Sequence, residues 1–307
     1  MRNMKFSVFA DFHYNPGVFY KGTWEDMDFI LKRAEVQNVD FIIHVGDLCH
    51  GPSTVPEFIE HYNNFKILTY HCLGNHDTDK TSYAETLKMY HMEDGHYYFD
   101  NNGYRFIVCD TNYLLLDGAY IHFDVGNYYK NGDARDHMPP EQLEWLEQTI
   151  ADSEYPCILL NHSSFERRMG GTNSQDKIQT IIRNANKRKA HSVLMCINGH
   201  HHRDNIRILD NVVYFDLNST SFDWLSQNPH DLFPEEITKA ARNAPKTVMY
   251  SDPIHAIITL EGTTITIDGM ESEMFMGVRR EDTNNDICDK DGRPVVPRVQ
   301  SAKITLG

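Results

Sequence analysis

Short runs of apolar, often β-branched residues recur along the first two thirds of the chain. They cover residues 5–10, 39–45, 65–73, 105–110, 156–161 and 192–198. Runs that are almost continuously apolar are typical of strands covered on both faces of a sheet. The pattern therefore predicts a set of buried β-strands.

Helical patterns lie between these runs. One begins after Thr23, where Thr23 and Asp26 have the spacing of a capping box. A second covers residues 139–153 with two prolines at its first turn, and a third covers 173–189. Because strands and helices alternate, the sequence predicts a layered α/β fold.

The later part of the chain has a different rhythm. Residues 212–219, 253–269 and 296–307 alternate apolar and polar positions without long helices between them, which predicts hairpins or sheet edges and a second sheet packed on the first. We expect a single domain over residues 1–270 and a C-terminal extension over 271–307, partly loop and with a last strand. Its polar, turn-rich stretch 279–294 is interpreted as a solvated loop.

Composition narrows the class of protein. The 307 residues are 40% apolar and 24% charged, which excludes fibrous and wholly disordered chains. No apolar run approaches the roughly 20 residues that span a bilayer, and the N-terminus lacks a signal-peptide pattern. We therefore expect a cytoplasmic protein without a membrane partner, whose cysteines at 72, 109, 157 and 196 are buried free thiols.

Charge limits the partners. The net charge is −15, so most of the surface would repel duplex nucleic acid, and we do not expect nucleic acid as a partner. A polyanionic partner would need a local source of positive charge, such as bound metal.

Residues of metal-ligand type follow five of the predicted strands. They are Asp11 and His13, Asp47, Asn75 and His76, His162, and His200 with His202. The carboxyl ends of strands in open α/β sheets converge on one crevice, so these side chains are expected to meet. Oxygen and imidazole donors without thiolate suit Mn, Fe, Zn or Ni. Seven ligands besides His76 fit two ions better than one, because a carboxylate can bridge a pair.

The same residues form an ordered set of motifs. DFH (11–13), GD (46–47), GNHD (74–77), NH (161–162) and GHHH (199–202) resemble the five-block signature of calcineurin-like metallophosphoesterases over about residues 4–270. In motif the chain is most similar to class III cyclic nucleotide phosphodiesterases. The resemblance implies a four-layered αββα sandwich of two mixed β-sheets flanked by helices, with a dinuclear metal centre between the sheet ends.

The resemblance also implies a role for each ligand. Asp11, His13 and His202 would hold one metal, Asn75, His162 and His200 the other, and Asp47 would bridge them. Metal-activated hydroxide would then attack phosphorus. His76 would face the substrate as a catalytic group, hydrogen-bonding the transition state or giving a proton to the leaving alkoxide.

One position departs from the family pattern. Many relatives have an Asp in the second block that orients the third-block histidine, whereas this sequence has His50. Either Asp77 or another carboxylate orients His76, or His50 contacts the phosphate. The substrate contacts predicted from position along the chain are Tyr14, His50, Phe165 and Arg203.

The leading functional hypothesis is a dinuclear metal-dependent phosphoesterase acting on a phosphodiester or nucleotide-like compound. The alternatives are a pyrophosphatase for nucleoside diphosphate sugars or alcohols, a phosphomonoesterase, and a non-catalytic scaffold that retains the fold. The sequence leaves open the identity of the metals, the substrate, the oligomeric state and the role of residues 225–252.

Overall fold

The computed structural model describes residues 3–167, 170–225, 229–283 and 294–307. The strands in these ranges are β1 (Met4–Phe9), β2 (Phe41–Val45), β3 (Thr69–Cys72), β4 (Tyr97–Asn101), β5 (Tyr104–Val108), β6 (Tyr113–Leu116), β7 (Ala119–His122), β8 (Cys157–Leu160), β9 (Val193–Asn198), β10 (Asn205–Leu209), β11 (Val212–Asp216), β12 (Phe222–Trp224), β13 (Thr247–Met249), β14 (Ala256–Glu261), β15 (Thr264–Asp268) and β16 (Ala302–Thr305). The helices are α1 (Trp24–Val36), α2 (Pro56–Asn63), α3 (Tyr83–Met89), α4 (Pro140–Ala151), α5 (Gln175–Arg188) and α6 (Glu235–Ala240).

Two mixed six-stranded sheets form the centre of the molecule. The first has the order β16-β15-β14-β1-β2-β3 and the second the order β10-β11-β9-β8-β5-β4. In the first sheet β1, β2 and β3 are parallel, and in the second β5, β8, β9 and β11 are parallel. The α/β class with two mixed sheets is thus confirmed.

Aromatic and aliphatic side chains from both sheets meet in the central core. Phe106 of the second sheet packs edge-on against Phe6 and Phe41 of the first, at centroid distances of 5.3 and 4.9 Å. Helices α1 and α2 cover the outer face of the first sheet, and α4 and α5 cover that of the second. The layers therefore follow the predicted order αββα, and each buried aromatic contributes a large apolar area.

The late strands are distributed differently from the prediction. β11 lies in the second sheet, but β14, β15 and β16 extend the first sheet. β14 pairs antiparallel with β1, for example Ser7 with Ile257, and so covers an edge that the parallel strands leave open. Strand β16 pairs with β15, Ile304 lying opposite Ile265, so the expected C-terminal extension contributes its last strand to the main sheet.

Local signals explain some elements and miss others. The capping box at α1 is confirmed, because Asp26 N donates to Thr23 Oγ1 at 3.2 Å and Thr23 N to Asp26 Oδ2 at 2.9 Å. The sequence pattern did not predict the β6–β7 hairpin. It also did not predict the short helices α2 and α3, because they span too few turns to show a clear helical period.

The remaining expectations concern thiols, membrane and loop. The five cysteines of the described chain are buried and free. No helix within the described ranges is long and apolar enough to cross a bilayer. Of the expected solvated loop 279–294, residues 284–293 lie outside the described residues, and Arg280–Thr283 form a short 3₁₀ helix.

Candidate metal centre

The loops after β1, β2, β3, β8 and β9 meet at one end of the two sheets. Backbone hydrogen bonds tie them together: Asp11 N donates to Gly46 O at 3.0 Å and His13 N to Asp47 O at 2.9 Å. His200 N donates to Asp11 Oδ2 at 2.9 Å, which joins the loops of the two sheets. The predicted ligands are thereby brought to one place.

Asp11, His13 and His202 form the first ligand group, and all three are buried. His202 Nε2 lies 3.4 Å from Asp11 Oδ1 and 3.2 Å from His13 Nε2. His13 Nε2 lies 3.9 Å from Asp11 Oδ1. Atoms bound to one ion at about 2.0 to 2.2 Å lie at such mutual distances, so this group fits one metal.

Asp47, His162 and His200 form the second group. His162 Nε2 lies 3.2 Å from Asp47 Oδ2 and 3.2 Å from His200 Nδ1, and Asn75 lines the same cavity. Asp47 Oδ2 is also 3.9 Å from His13 Nε2 of the first group. Asp47 therefore stands between the two groups, as a bridging carboxylate would.

Two buried oxygens in these groups have unmet bonding capacity. Asp11 Oδ1 and Asn75 Oδ1 have no hydrogen-bond partner within the described part of the chain. A buried carboxylate or amide oxygen without a partner is costly, and a cation would satisfy both atoms. The oxygen and imidazole donors also match the preference of Mn, Fe, Zn or Ni, so the residues present fit a pair of such ions.

Hydrogen bonds to backbone carbonyls fix the orientation of two ligands. His162 Nδ1 donates to Val45 O at 2.9 Å, and His202 Nδ1 donates to Phe222 O at 3.1 Å. The proton therefore sits on Nδ1 of each ring, and the lone pair of Nε2 is directed at the metal position. Such partners usually orient metal-binding histidines.

The backbone at the ligands is unusual. Five ligand residues have φ in the left-handed region, which non-glycine residues rarely adopt: Asp11 at 51°, His13 at 54°, Asp47 at 55°, His200 at 71° and His202 at 52°. Each such residue costs of order 1–3 kcal/mol. Clustering of this strain at one place is a common mark of a functional site.

Glycines allow the loops to approach the ligands closely. A Cβ at Gly74 would lie 2.2 Å from Asp47 N, and a Cβ at Gly199 would lie 2.6 Å from Asp11 Oδ2. Both distances are shorter than side chains tolerate. Glycine at these two positions therefore lets the loops come closer to the candidate ligands than any side chain would allow.

His76 lines the cavity above the ligands and is oriented by Asp79. Its Nδ1 lies 2.8 Å from Asp79 Oδ2, and its backbone N donates to Asp47 Oδ1 at 2.7 Å. Burial alone would lower the pKa of His76, but the charges of Asp47 and Asp79 outweigh burial and raise it. Asp77, the other candidate, faces away and binds backbone N–H groups. The carboxylate that orients His76 is thus Asp79.

The electrostatics of the ligands reflect their two carboxylates. Burial would lower the pKa of His162, but the negative charges of Asp47 and Asp11 raise it to about 10. Burial lowers the pKa of His13 well below its usual value. Without a metal ion His162 would therefore carry a proton on both ring nitrogens, and a cation bound by the carboxylates would displace the Nε2 proton and in turn attract phosphate.

The four residues predicted to contact substrate lie elsewhere. Tyr14, His50, Phe165 and Arg203 are not among the described residues that line the cavity. Tyr14 stacks on Phe58 with a centroid distance of 3.8 Å, and Phe165 is buried in the core beside α5. Arg203 forms an ion pair with Asp223. Packing and ion pairing account for these three side chains.

His50, the fourth of these residues, lies behind the first ligand group. Its Nε2 is 3.0 Å from His13 Nδ1 and its Nδ1 is 2.9 Å from Asp79 Oδ2. Both ring nitrogens are therefore occupied by protein partners. His50 thus lies between the candidate ligand His13 and a carboxylate, apart from the residues that line the cavity.

A cavity of about 370 Å³ opens over the ligands. Besides ligands and His76, its lining includes Tyr128, Tyr129, Arg135, Asp136 and Trp224. The first four belong to the segment between β7 and α4, which contains two short 3₁₀ helices. Sequence reasoning missed these four, since no strand end or motif marks them; the adjacent tyrosines were the only available signal.

Comparison with protein families gives the class. The model of the calcineurin-like phosphoesterase family matches residues 4–204. The chain belongs to this family. A comparison with curated protein sequences finds no match.

Solved structures show the same fold. A dimetal phosphatase from Danio rerio superposes with a TM-score of 0.64 at 13% identity, covering 99% of both chains. GAP50, the anchor in the inner membrane complex of Plasmodium, superposes with a TM-score of 0.56 at 13% identity, covering 100% of this chain and 90% of that one. At such low identity the likeness concerns the fold.

Proposed function

We propose that the protein is a dinuclear metal-dependent phosphoesterase that hydrolyses a small phosphodiester or nucleotide-like substrate. The observation that carries this proposal is the pair of ligand groups that meet at Asp47. In one group His202 Nε2 lies 3.4 Å from Asp11 Oδ1, and in the other His162 Nε2 lies 3.2 Å from Asp47 Oδ2. When bound, a pair of Mn, Fe, Zn or Ni ions supplies a reactive hydroxide near neutral pH and neutralises phosphoryl charge.

His76 is the proposed proton donor. Its Nδ1 is held by Asp79 at 2.8 Å, which leaves Nε2 as the ring nitrogen available to the substrate. The raised pKa of His76, due to Asp47 and Asp79 acting against burial, favours the protonated ring. A protonated imidazole here can hydrogen-bond a phosphoryl oxygen or give its proton to the leaving alkoxide.

The cavity walls support a nucleotide-like substrate. Trp224 and Tyr129 are 37% and 61% exposed, and their rings offer apolar surface to a planar group. Arg135 Nε makes no hydrogen bond among the described residues and lies 3.8 Å from Asp136 Oδ2, and its guanidinium lies over the Tyr128 ring at 4.6 Å. An arginine in this position would suit a second phosphate, which keeps a nucleoside diphosphate as the second candidate.

A substrate panel tests the proposal. Manganese-loaded protein is assayed with bis-p-nitrophenyl phosphate, p-nitrophenyl phosphate, cyclic AMP and ADP-ribose. We expect metal-dependent turnover, with diesters preferred over the monoester; preference for ADP-ribose would favour the diphosphate candidate. If replete protein turns over none of them, the scaffold alternative replaces the enzyme.

His76→Ala tests the role of the proton donor. The variant is expected to fold, keep its metals and lose roughly 10²- to 10⁴-fold in turnover on substrates with poor leaving groups. Wild-type turnover on these substrates would remove His76 from the mechanism. A good leaving group is the internal control, because it needs little protonation.

The scaffold alternative remains the chief rival. GAP50, which has the same fold, is described as an anchor. Two features argue against a scaffold role for this chain. The candidate ligands are grouped and His76 is oriented towards them, and a scaffold needs neither for its chemistry. We also propose a cytoplasmic location, since free cysteines are typical of reducing compartments.

A further inference from the structure

Asp79 accepts hydrogen bonds from four side chains. Its Oδ2 lies 2.8 Å from His76 Nδ1, 2.9 Å from His50 Nδ1 and 3.0 Å from the Tyr129 hydroxyl, and its Oδ1 accepts from the Tyr128 hydroxyl. The carboxylate is 8% exposed. A carboxylate has about four acceptor sites, so all of its capacity is used by the residues around the cavity.

The directions of the bonds through His50 follow from the metal site. His13 turns Nε2 towards Asp11 and His202, so the proton of its neutral ring is on Nδ1. His13 Nδ1 therefore donates to His50 Nε2 at 3.0 Å. His50 then carries its own proton on Nδ1 and donates it to Asp79.

Resting on the proposed function, we propose that His50 and Asp79 act as one pair of positioning residues. Asp79 fixes His76 over the cavity directly, and through His50 it also fixes the metal ligand His13. In this chain an imidazole occupies the position where many relatives have the orienting carboxylate, and the carboxylate comes from the turn after GNHD instead. Asp79 therefore positions both the proton donor and one of the ligands of the first metal.

The geometry gives the two members different effects. His50 contacts His13 and Asp79 through its ring nitrogens, but it makes no hydrogen bond to His76 among the described contacts. Loss of His50 is therefore expected to affect the metal more than the proton donor. Loss of the Asp79 charge is expected to affect both.

The first experiment measures metal binding, a readout that does not need turnover. Mn²⁺ affinity is measured by titration calorimetry for wild type, His50→Ala and Asp79→Asn. Removal of the partner of a metal-binding histidine typically lowers affinity about 10- to 100-fold, and we expect this loss in both variants. His61→Ala and Asp28→Asn are the controls, because these residues form a similar pair at 2.7 Å on the surface.

The second experiment measures turnover at saturating Mn²⁺. For Asp79→Asn we expect kcat on poor leaving groups to fall about 10- to 100-fold with little change in KM, because the lost interaction acts in the transition state. His50→Ala is expected to retain most of its kcat once metal is saturating. An equal loss of kcat in the two variants would overturn the separate roles.

A rescue distinguishes positioning from general damage. The His50 ring lies 4.4 Å from the His76 ring, centroid to centroid, so a carboxylate introduced at position 50 would lie beside His76. The double variant His50→Asp with Asp79→Asn is expected to recover about tenfold of the activity lost in Asp79→Asn, within the range such partners control. A double variant no better than Asp79→Asn overturns the proposal.

Other outcomes are also decisive. Wild-type affinity in His50→Ala overturns the link to His13, and binding of three Mn²⁺ ions would mean that His50, His76 and Asp79, which are close enough to hold a metal, act as ligands instead. If Asp79→Asn does not fold, His50→Ala alone tests the link to His13. If wild type turns over no substrate but His50→Ala binds Mn²⁺ more weakly, the proposed function fails and the link to His13 stands.

Discussion

Asp77 joins the loops that follow β2 and β3, and its replacement is expected to loosen both. Its Oδ2 accepts from Gly74 N at 2.8 Å and from Asp47 N at 3.0 Å. Its Oδ1 accepts from Cys49 N at 3.3 Å and from the Tyr90 hydroxyl at 2.7 Å. The side chain is fully buried, so the four donors that it binds have no access to solvent as an alternative partner.

The size of the effect follows from these four contacts. Asp77→Ala leaves three N–H groups and one hydroxyl buried without an acceptor, at about 1–3 kcal/mol each, or at least about 4 kcal/mol. With an unfolding entropy of about 2.1 cal/mol/K per residue, the 307 residues give about 0.6 kcal/mol/K, so Tm should fall by about 6 °C or more. Asp77→Asn mismatches one N–H donor, for about 1–3 kcal/mol and a decrease in Tm of about 2–5 °C.

Thermal unfolding of the metal-free protein, followed by circular dichroism, measures both variants. We expect Tm to decrease in the order wild type, Asp77→Asn, Asp77→Ala. Asp268→Ala is the matched control, because that carboxylate is 56% exposed and bonded to Arg33, and an exposed pair contributes about 0–1 kcal/mol. A Tm for Asp77→Ala within about 2 °C of wild type would refute the reasoning.

Two further predictions concern the ligand loops and acid stability. Gly199→Ala places a Cβ 2.6 Å from Asp11 Oδ2 and should reduce bound Mn²⁺, measured by elemental analysis, whereas Gly118→Ala, which meets nothing within 4 Å, should not. Burial, with the charge of Arg33, lowers the pKa of His255 to about 3. Its neutral ring therefore stabilises the fold fully above about pH 6.5, and this contribution is lost as pH falls towards 3. Between pH 6.5 and 5 the free energy of unfolding of the wild type should decrease by about 2 kcal/mol because of this group. His255→Leu should lack this decrease, so its Tm should fall less than that of the wild type over the same pH range. An equal fall in Tm in wild type and variant would contradict the prediction.

The candidate ligands could be predicted from sequence because each depends on local information. Asp11, Asp47 and His162 each follow a strand whose apolar run is visible, and the sheet brings the strand ends together. Helical patterns in the sequence also predict α1 in one outer layer and α4 and α5 in the other. The layered fold and the metal-ligand groups thus follow from short-range patterns and one general property of α/β sheets.

The rest depends on contacts between distant segments. Asp79 meets Tyr128 and Tyr129 because the segment between β7 and α4 folds back over the turn at Asp79. It meets His50 because the loops after β2 and β3 lie side by side, and no motif in these segments marks either contact. Similarly, the apolar alternation of β14 suits either sheet. Its pairing with β1 is decided by the open edge of the first sheet rather than by its own residues.

The left-handed backbone at the ligands has a consequence for how cations bind. An isolated peptide would abandon these φ values, so the surrounding sheets must enforce them. The arrangement then exists before any ion arrives, and binding requires little ordering of the chain. A substitution that loosens the packing beneath either sheet should therefore lower the affinity for ions before it unfolds the protein.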